Sequence, residues 1–375
     1  MDPVRLLCEL IALPSVNPAF LPAGHRQAGE KQVGDFLTAL AARAGLEVEL
    51  REVFPDRFNL LARLTPPGRV RHRVLLAPHL DTVGADDAQF LPVVRAGRVY
   101  GRGACDTKGS VASMLVALAA LATSTGRRPQ ETEIVLAALV DEENEQQGSR
   151  ALAASGLKAD LAIVGEPTRL QVITAHKGDL WLEIETRGRA AHGATPHLGR
   201  NAVHEAARVV DWIETKYAKQ LRRHRHPLLG PATINVGSIA GGRQPNIVPD
   251  QCVITADRRT LPDETDVGVR RELAGGLRGQ GLSATVRSSK AAPCLPMETD
   301  PARPLVRNFM DAVGQLQPQG AHYFCDASVL SHGGIPSVVF GPGDIAQAHT
   351  ADEWISVWEL EEATALLTRF LQGLA

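Results

Sequence analysis

Four apolar runs in this chain each stop abruptly at residues able to bind a metal or move a proton, and that repetition constrains the fold more than any other feature. Val74-Leu75-Leu76-Ala77 runs into Pro78-His79-Leu80-Asp81, and Ile134 to Val140 into Asp141-Glu142-Glu143. Leu161 to Val164 precedes Glu166, and Pro336 to Phe340 precedes Gly341 to His349. Short apolar runs of this kind read as strands buried on both faces. Between them lie helical stretches, clearest after Asp106, where Val111, Met114, Leu115, Leu118 and Leu121 recur at helical spacing until Gly126. Strands alternating with helices predict an α/β sheet, and such sheets bind ligands outside the carboxyl ends of their strands. The four polar segments are therefore expected to meet at one site.

The pattern changes near Gly178, where Leu180, Leu182 and Ile184 alternate with Trp181, Glu183 and Glu185 as in a half-buried strand. A helix over 201–220, strands around 233–239 and 252–258, a helix near 267–277 and a strand near 284–288 follow. That order, βαββαβ, is the ferredoxin-like arrangement. After Pro293 the first pattern returns, with a helix over 304–313, the strand before Gly341 and a closing helix over 360–374. The expectation is a catalytic domain made of residues 1–177 and 293–375, with a second domain, 178–292, inserted into it.

A formal net charge of −2 gives no general electrostatic case for nucleic acid or an anionic membrane. The start, Met1-Asp2-Pro3-Val4-Arg5, lacks the features of a secretion signal, and no apolar run is long enough to span a bilayer. The five cysteines are scattered without C-x-x-C spacing, which argues against a disulfide framework or a thiolate zinc site. A cytoplasmic protein is expected.

Taken singly, each polar candidate has a plain explanation, because a lone His or Asp at a strand end is more often a cap or turn residue than a ligand. Together they read differently. His79 and Asp81 stand two apart, so that the histidine can bind metal while the aspartate accepts its other ring proton. Asp106 precedes a helix and can cap it, or can bridge two metals through its two oxygens. Of the adjacent Glu142 and Glu143, one can bind metal while the other acts as a general base. Glu166 and His349 complete two ligand sets that share Asp106. Imidazole and carboxylate without thiolate suit catalytic zinc or a related divalent ion, cobalt and manganese included.

These segments resemble the co-catalytic zinc hydrolase family that contains acetylornithine deacetylase, succinyl-diaminopimelate desuccinylase, aminoacylase and glutamate carboxypeptidase. The resemblance rests on His79-Leu80-Asp81-Thr82-Val83, Gly101 to Gly109, Asp141-Glu142-Glu143, Gly165-Glu166-Pro167-Thr168, Ala191-His192-Gly193, and Gly341-Pro342-Gly343 through His349, in that order along nearly the whole chain. It implies a mixed-sheet zinc-peptidase-like catalytic domain with a ferredoxin-like lid and dimerisation domain. It further implies two zinc ions: Asp106 bridges, His79 and Glu166 hold one, Glu143 and His349 hold the other, and Glu142 is the general base.

In the inserted domain the resemblance makes His192 an oxyanion donor, often acting across a homodimer, and makes Asn246 a substrate contact. Arg258 and Arg259 are candidates for a substrate carboxylate, with Arg259 the better match, because a guanidinium fork suits that group. Gly193 departs from the family, which usually has serine there, and Asn144-Glu145-Gln146-Gln147 departs from it after the paired glutamates. The segment Gly341 to His349 and His176-Lys177-Gly178 look most like acetylornithine deacetylases. The expected substrate is therefore a small N-acyl amino acid. A metallocarboxypeptidase or dipeptidase acting on short peptides, a desuccinylase, and a non-catalytic amino-acid binder are the alternatives.

Overall fold

The computed structural model describes residues 1–124 and 128–374, so the helix stop expected at Gly126 lies outside the described residues. The chain divides into two compact units. One comprises Met1–Thr174, Thr299–Gln319 and Cys325–Ala375; the other comprises Ala175–Glu298 and Gly320–Phe324. The insert was expected over 178–292. The extra stretch Gly320–Phe324 is joined through the Lys177 amide, which donates to Ala321 O at 3.2 Å, a pairing that no local periodicity announces.

In the first unit four strands run parallel in the order Thr132–Ala138, His72–Pro78, Leu161–Gly165, Ser337–Val339. Their apolar sequences follow from burial on both faces, Thr132–Ala138 and Leu161–Gly165 being buried at every position. The antiparallel pair Glu47–Phe54 and Arg57–Leu64 extends the sheet from Thr132–Ala138, and Val339 meets Ile173 in antiparallel register on the other side. The sheet is thus mixed, as expected for this α/β class. The helix Lys108–Thr123 is apolar nearly all round and buried along its length, as a helix packed on several sides must be. It packs against Pro3–Ile11 and the closing helix Val357–Gln372. Phe309 anchors Pro304–Val313 by packing edge-on to Phe340 and tilted against Phe370, with ring centroids 5.1 and 4.8 Å away.

One glycine shows how tightly the strand ends converge. A Cβ on Gly341 would lie 2.4 Å from Ser110 Oγ and 2.6 Å from Glu166 O, so only glycine lets the segment after Ser337–Val339 pass beside Glu166.

In the second unit the strand order is Thr233–Gly241, Gln251–Thr260, Gly178–Arg187, Ala284–Ser288, every neighbour antiparallel. Leu180, Leu182 and Ile184 face inward with Cys252, Ile254 and Ala256, and are covered by Ala206 and Val209 of Ala202–Trp212 and by Leu273 and Leu277 of Asp266–Gly279. This is the ferredoxin-like order. The single helix expected over 201–220 is instead interrupted by a π-helical turn at Ile213–Tyr217, where Trp212 stacks on Tyr217 with centroids 5.4 Å apart. Among the described residues no helix is long and apolar enough to cross a membrane.

Candidate metal centre

The expected ligands of the first unit all come from segments that follow its parallel strands or lead into the helix Lys108–Thr123. His79 follows His72–Pro78, and its Nε2 lies 3.0 Å from Asp106 Oδ1 and 3.7 Å from Glu166 Oε1. His349 reaches the same aspartate from the opposite side: its Nε2 is 3.4 Å from Asp106 Oδ2 and 3.1 Å from Glu143 Oε2. Each oxygen of Asp106 therefore faces a different histidine. Two donor clusters within 4.8 Å result, His79 with Glu142 and Glu166, and His79 with Asp106 and Glu143. The backbone accommodates this at some cost, because His349 takes a left-handed φ of 63°.

Such a concentration of carboxylates is electrostatically unfavourable by itself. Burial, with the charge of Glu166, pushes Glu142 well above the usual carboxylate range; burial, with Asp106 next, pushes Glu143 up to about 7. Burial likewise drives Glu166 up. Against its own burial, His79 is held well above its ordinary value by hydrogen bonding to Asp106 and by Asp81. His349 is raised to about 10 by its contacts with Asp106 and Glu143. Glu143 Oε1 and Glu166 Oε1 are buried without a hydrogen-bond partner. Unpaired buried carboxylate oxygens are costly, and a divalent cation is the group that satisfies oxygens and imidazoles together. The residues fit a metal centre.

Asp81 differs from expectation. The nearest acceptor to His79 Nδ1 is the Asp81 backbone carbonyl at 3.0 Å, while the Asp81 carboxylate stands at 3.6 Å, too far for a good hydrogen bond. That carboxylate accepts instead from the backbone amides of Glu142 at 3.0 Å and Glu143 at 3.1 Å, and from Asn17 Nδ2 at 2.8 Å. It thus orients the glutamate pair as much as the histidine.

Several residues around the centre went unnoticed in the sequence. The second amide hydrogen of Asn17 goes to Asp141 Oδ1 at 3.0 Å, and Arg57 joins Asp141 at 3.2 Å to Glu30 at 2.6 Å. Asp326 is buried with Ser149 Oγ at 2.5 Å from Oδ1, and burial lifts its carboxyl to about 7. Glu353 is also buried and accepts from the loop that carries Asp106. Asp141 alone had a signal, its place in the acidic triplet.

The candidates of the second unit are held more openly. His192 and Asn246 are exposed, on two segments joined by the bridge of His192 to Ile247 and by Gly193 N donating to Asn246 O at 2.7 Å. A Cβ at Gly193 would sit 3.0 Å from the Asn246 backbone, a tight contact that a side chain here could occupy only if that segment shifted slightly. Arg258 and Arg259 part company. Arg258 is wholly buried and its guanidinium is committed to Glu264 and to Arg259 O. Arg259 is partly exposed, bonded to Asp257 at 2.9 Å, and lines a cavity of about 560 Å³ with Lys177, Thr233 and His322. Of the two, only Arg259 has a partly exposed guanidinium that borders this cavity.

Comparison with known proteins agrees with this architecture. Residues 75–373 match the model of peptidase family M20/M25/M40. Acetylornithine deacetylase of Myxococcus xanthus is 31% identical over 89% of this chain and 90% of its own length, and that of Proteus mirabilis is 30% identical over 99% and 96%. A probable succinyl-diaminopimelate desuccinylase of Staphylococcus epidermidis is 27% identical over 94% and 93%. Among solved structures, aminopeptidase PepT of Bacillus cereus superposes with a TM-score of 0.78 at 22% identity, covering 99% of this chain and 97% of the other. A dinuclear metal binding peptidase of Bacillus subtilis superposes with a TM-score of 0.71 at 14% identity, covering 99% and 96%. The chain belongs to peptidase family M20/M25/M40, hydrolases that act on amide bonds.

Proposed function

We propose that the protein is a two-zinc deacylase that cleaves the amide of a small N-acyl amino acid, with N-acetylornithine the first substrate to test. The observation that carries this reading is the placement of one Asp106 oxygen toward each histidine, with Glu142 in the cluster of His79 and Glu166. His79, Glu166 and Asp106 would hold one ion, and Asp106, Glu143 and His349 the other. Bound zinc, or cobalt or manganese on the same donors, would supply Lewis acidity toward the scissile carbonyl and toward water.

Glu142 takes the proton of the attacking water and returns it to the departing amine; its burial suits a base that must hold a proton between the two steps. Asp81 positions Glu142 through its backbone amide. His192 donates to the oxyanion, and Asn246 and Arg259 hold the amino-acid portion, the guanidinium pairing with its carboxylate. Arg258, already paired with Glu264, supports the strand that presents Arg259. A homodimer through the inserted unit accompanies this reading, closed pairs being the commonest oligomers.

The relatives divide between acetylornithine deacetylases and a desuccinylase, which supports the deacylase class more than any one acyl group. The test is metal content together with hydrolysis of N-acetyl and N-succinyl amino acids and dipeptides. Glu142→Gln is expected to keep its metal and lose roughly 10²- to 10⁴-fold in kcat. Turnover of dipeptides but of no N-acyl amino acid would replace the deacylase reading with a dipeptidase. Metal and amino-acid binding without turnover of any of them would replace it with a binding role.

A further inference from the structure

Glu353 lies four positions beyond His349, with a carboxylate only 1% exposed, and it spends all its acceptor capacity on one loop. Its Oε1 accepts from the amides of Cys105 at 2.8 Å and Asp106 at 3.0 Å. Its Oε2 accepts from the amide of Gly103 at 3.0 Å and from Arg102 Nη1 at 2.7 Å. The Glu353 carbonyl takes the Gly101 amide at 3.0 Å, so the loop from Gly101 to Asp106 is wrapped around this residue. A carboxylate offers about four lone-pair sites, and here each has a donor. Gln89 ties down the intervening stretch, donating to Ala351 O at 3.0 Å.

The consequence is a joint between two ligand segments. One carries Asp106, the carboxylate facing both histidines; the other carries His349. No hydrogen bond links Glu353 to His79 or Glu166 among those of the described residues. We propose that Glu353 is a positioning residue that sets Asp106 and His349 in register, and that it governs occupancy of the second metal position, the one with Glu143 and His349, more than the first. This rests on the ligand assignment above. The donor geometry explains why a carboxylate is needed: an amide at this position would turn one acceptor oxygen into a donor facing other donors.

The experiment is calorimetric titration of the metal-free protein with Zn²⁺, repeated with Co²⁺ to read the visible spectrum of each site as it fills. Wild type, Glu353→Gln, Glu353→Asp and Arg102→Met are compared, with thermal melts of the metal-free forms. Wild type should bind two ions. Glu353→Gln should keep the first affinity and lose about 10- to 100-fold in the second, the usual effect of removing an outer partner of a metal ligand. The Co²⁺ spectrum of the second site should change with it. Arg102→Met, which leaves the carboxylate in place, should move the same ratio in the same direction by less, and it decides the matter if Glu353→Gln does not fold. Unchanged affinities overturn the proposal. So does a parallel fall in both affinities together with the melting temperature, since that marks a purely structural role. A wild-type chain that binds no metal refutes the ligand assignment itself, an outcome separable from either.

Discussion

In the first unit His79, Asp106 and Glu166 are 2 to 7% exposed, and His79 Nε2 lies 3.0 Å from Asp106 and 3.7 Å from Glu166, whereas in the inserted unit His192 and Asn246 stand in the open and Arg259 is partly exposed. The first set is held by a buried outer layer, Asp81 on the amides of Glu142 and Glu143, Asn17 on Asp81, and Glu353 on Asp106. The second set is held by partners nearer the surface: Gly193 N donates to Asn246 O, Ala194 N donates to His192 Nδ1 at 3.1 Å, and Arg259 pairs with Asp257 at 2.9 Å. The difference teaches what a concentration of buried charge requires of its surroundings. Buried carboxylates repel one another and must be fixed by surrounding donors, so the carboxylates of this cluster sit in one unit's core, while His349 reaches them from an exposed loop. Side chains at a surface keep water as a partner and need no such frame.

The largest expected effect breaks the comparison if it fails. Asp106→Ala should weaken both metal positions beyond the roughly 10- to 100-fold typical of an outer partner, with activity lost alongside, as measured by titration and by rate. Retention of one tight ion would show that the two histidines do not share this aspartate. His192→Ala comes next: metal content and melting temperature should hold while kcat falls about 10²- to 10³-fold, the range for removing one oxyanion donor. A loss of metal instead would make His192 part of the centre.

The two arginines sharpen the contrast within the inserted unit. Arg258→Met should destabilise it by about 3–5 kcal/mol in urea unfolding, because Glu264 loses its partner. Arg259→Met should cost less than about 1 kcal/mol but raise KM. Reversed results would exchange their assignments. The smallest effect is pH-dependent. Burial, opposed by Arg259, raises Asp179 from 3.8 to about 6, so the fold favours its protonated form. That stabilisation is full below about 3.8 and is lost as pH rises through 6. Asp179→Asn should flatten a decline on the order of 1–3 kcal/mol between pH 4 and 6.5 in unfolding followed by tryptophan fluorescence. An unchanged slope would place the titration elsewhere.

Much of the sheet was legible because the strands that lead to His79, the paired glutamates and Glu166 are buried on both faces over most of their length and are apolar there, as in Val74–Ala77, Ile134–Ala138 and Leu161–Val164. The strand Ala284–Ser288 and the helix Pro304–Val313 fall where periodicity puts them, since alternation and helical spacing are local properties. The hairpin Glu47–Phe54 and Arg57–Leu64 left no such trace. Its first strand is half exposed and rich in charge, and it joins the sheet only because the second strand, Arg57–Leu64, pairs with Thr132–Ala138.

The same division runs through the site. Residue types and their order along the chain, from His79 to His349, were enough to name a donor set suited to a divalent ion and to mark its family. Which oxygen of Asp106 faces which histidine, that the Asp81 carboxylate serves the glutamate amides, that Arg258 is spent on Glu264, and that Glu353 clamps a loop some 250 residues earlier were decided by tertiary structure alone. Donor chemistry is a property of each side chain and is written residue by residue. Orientation and burial arise only when segments distant in the chain are packed together, and in this protein they settle which charged groups are committed and which are free to act.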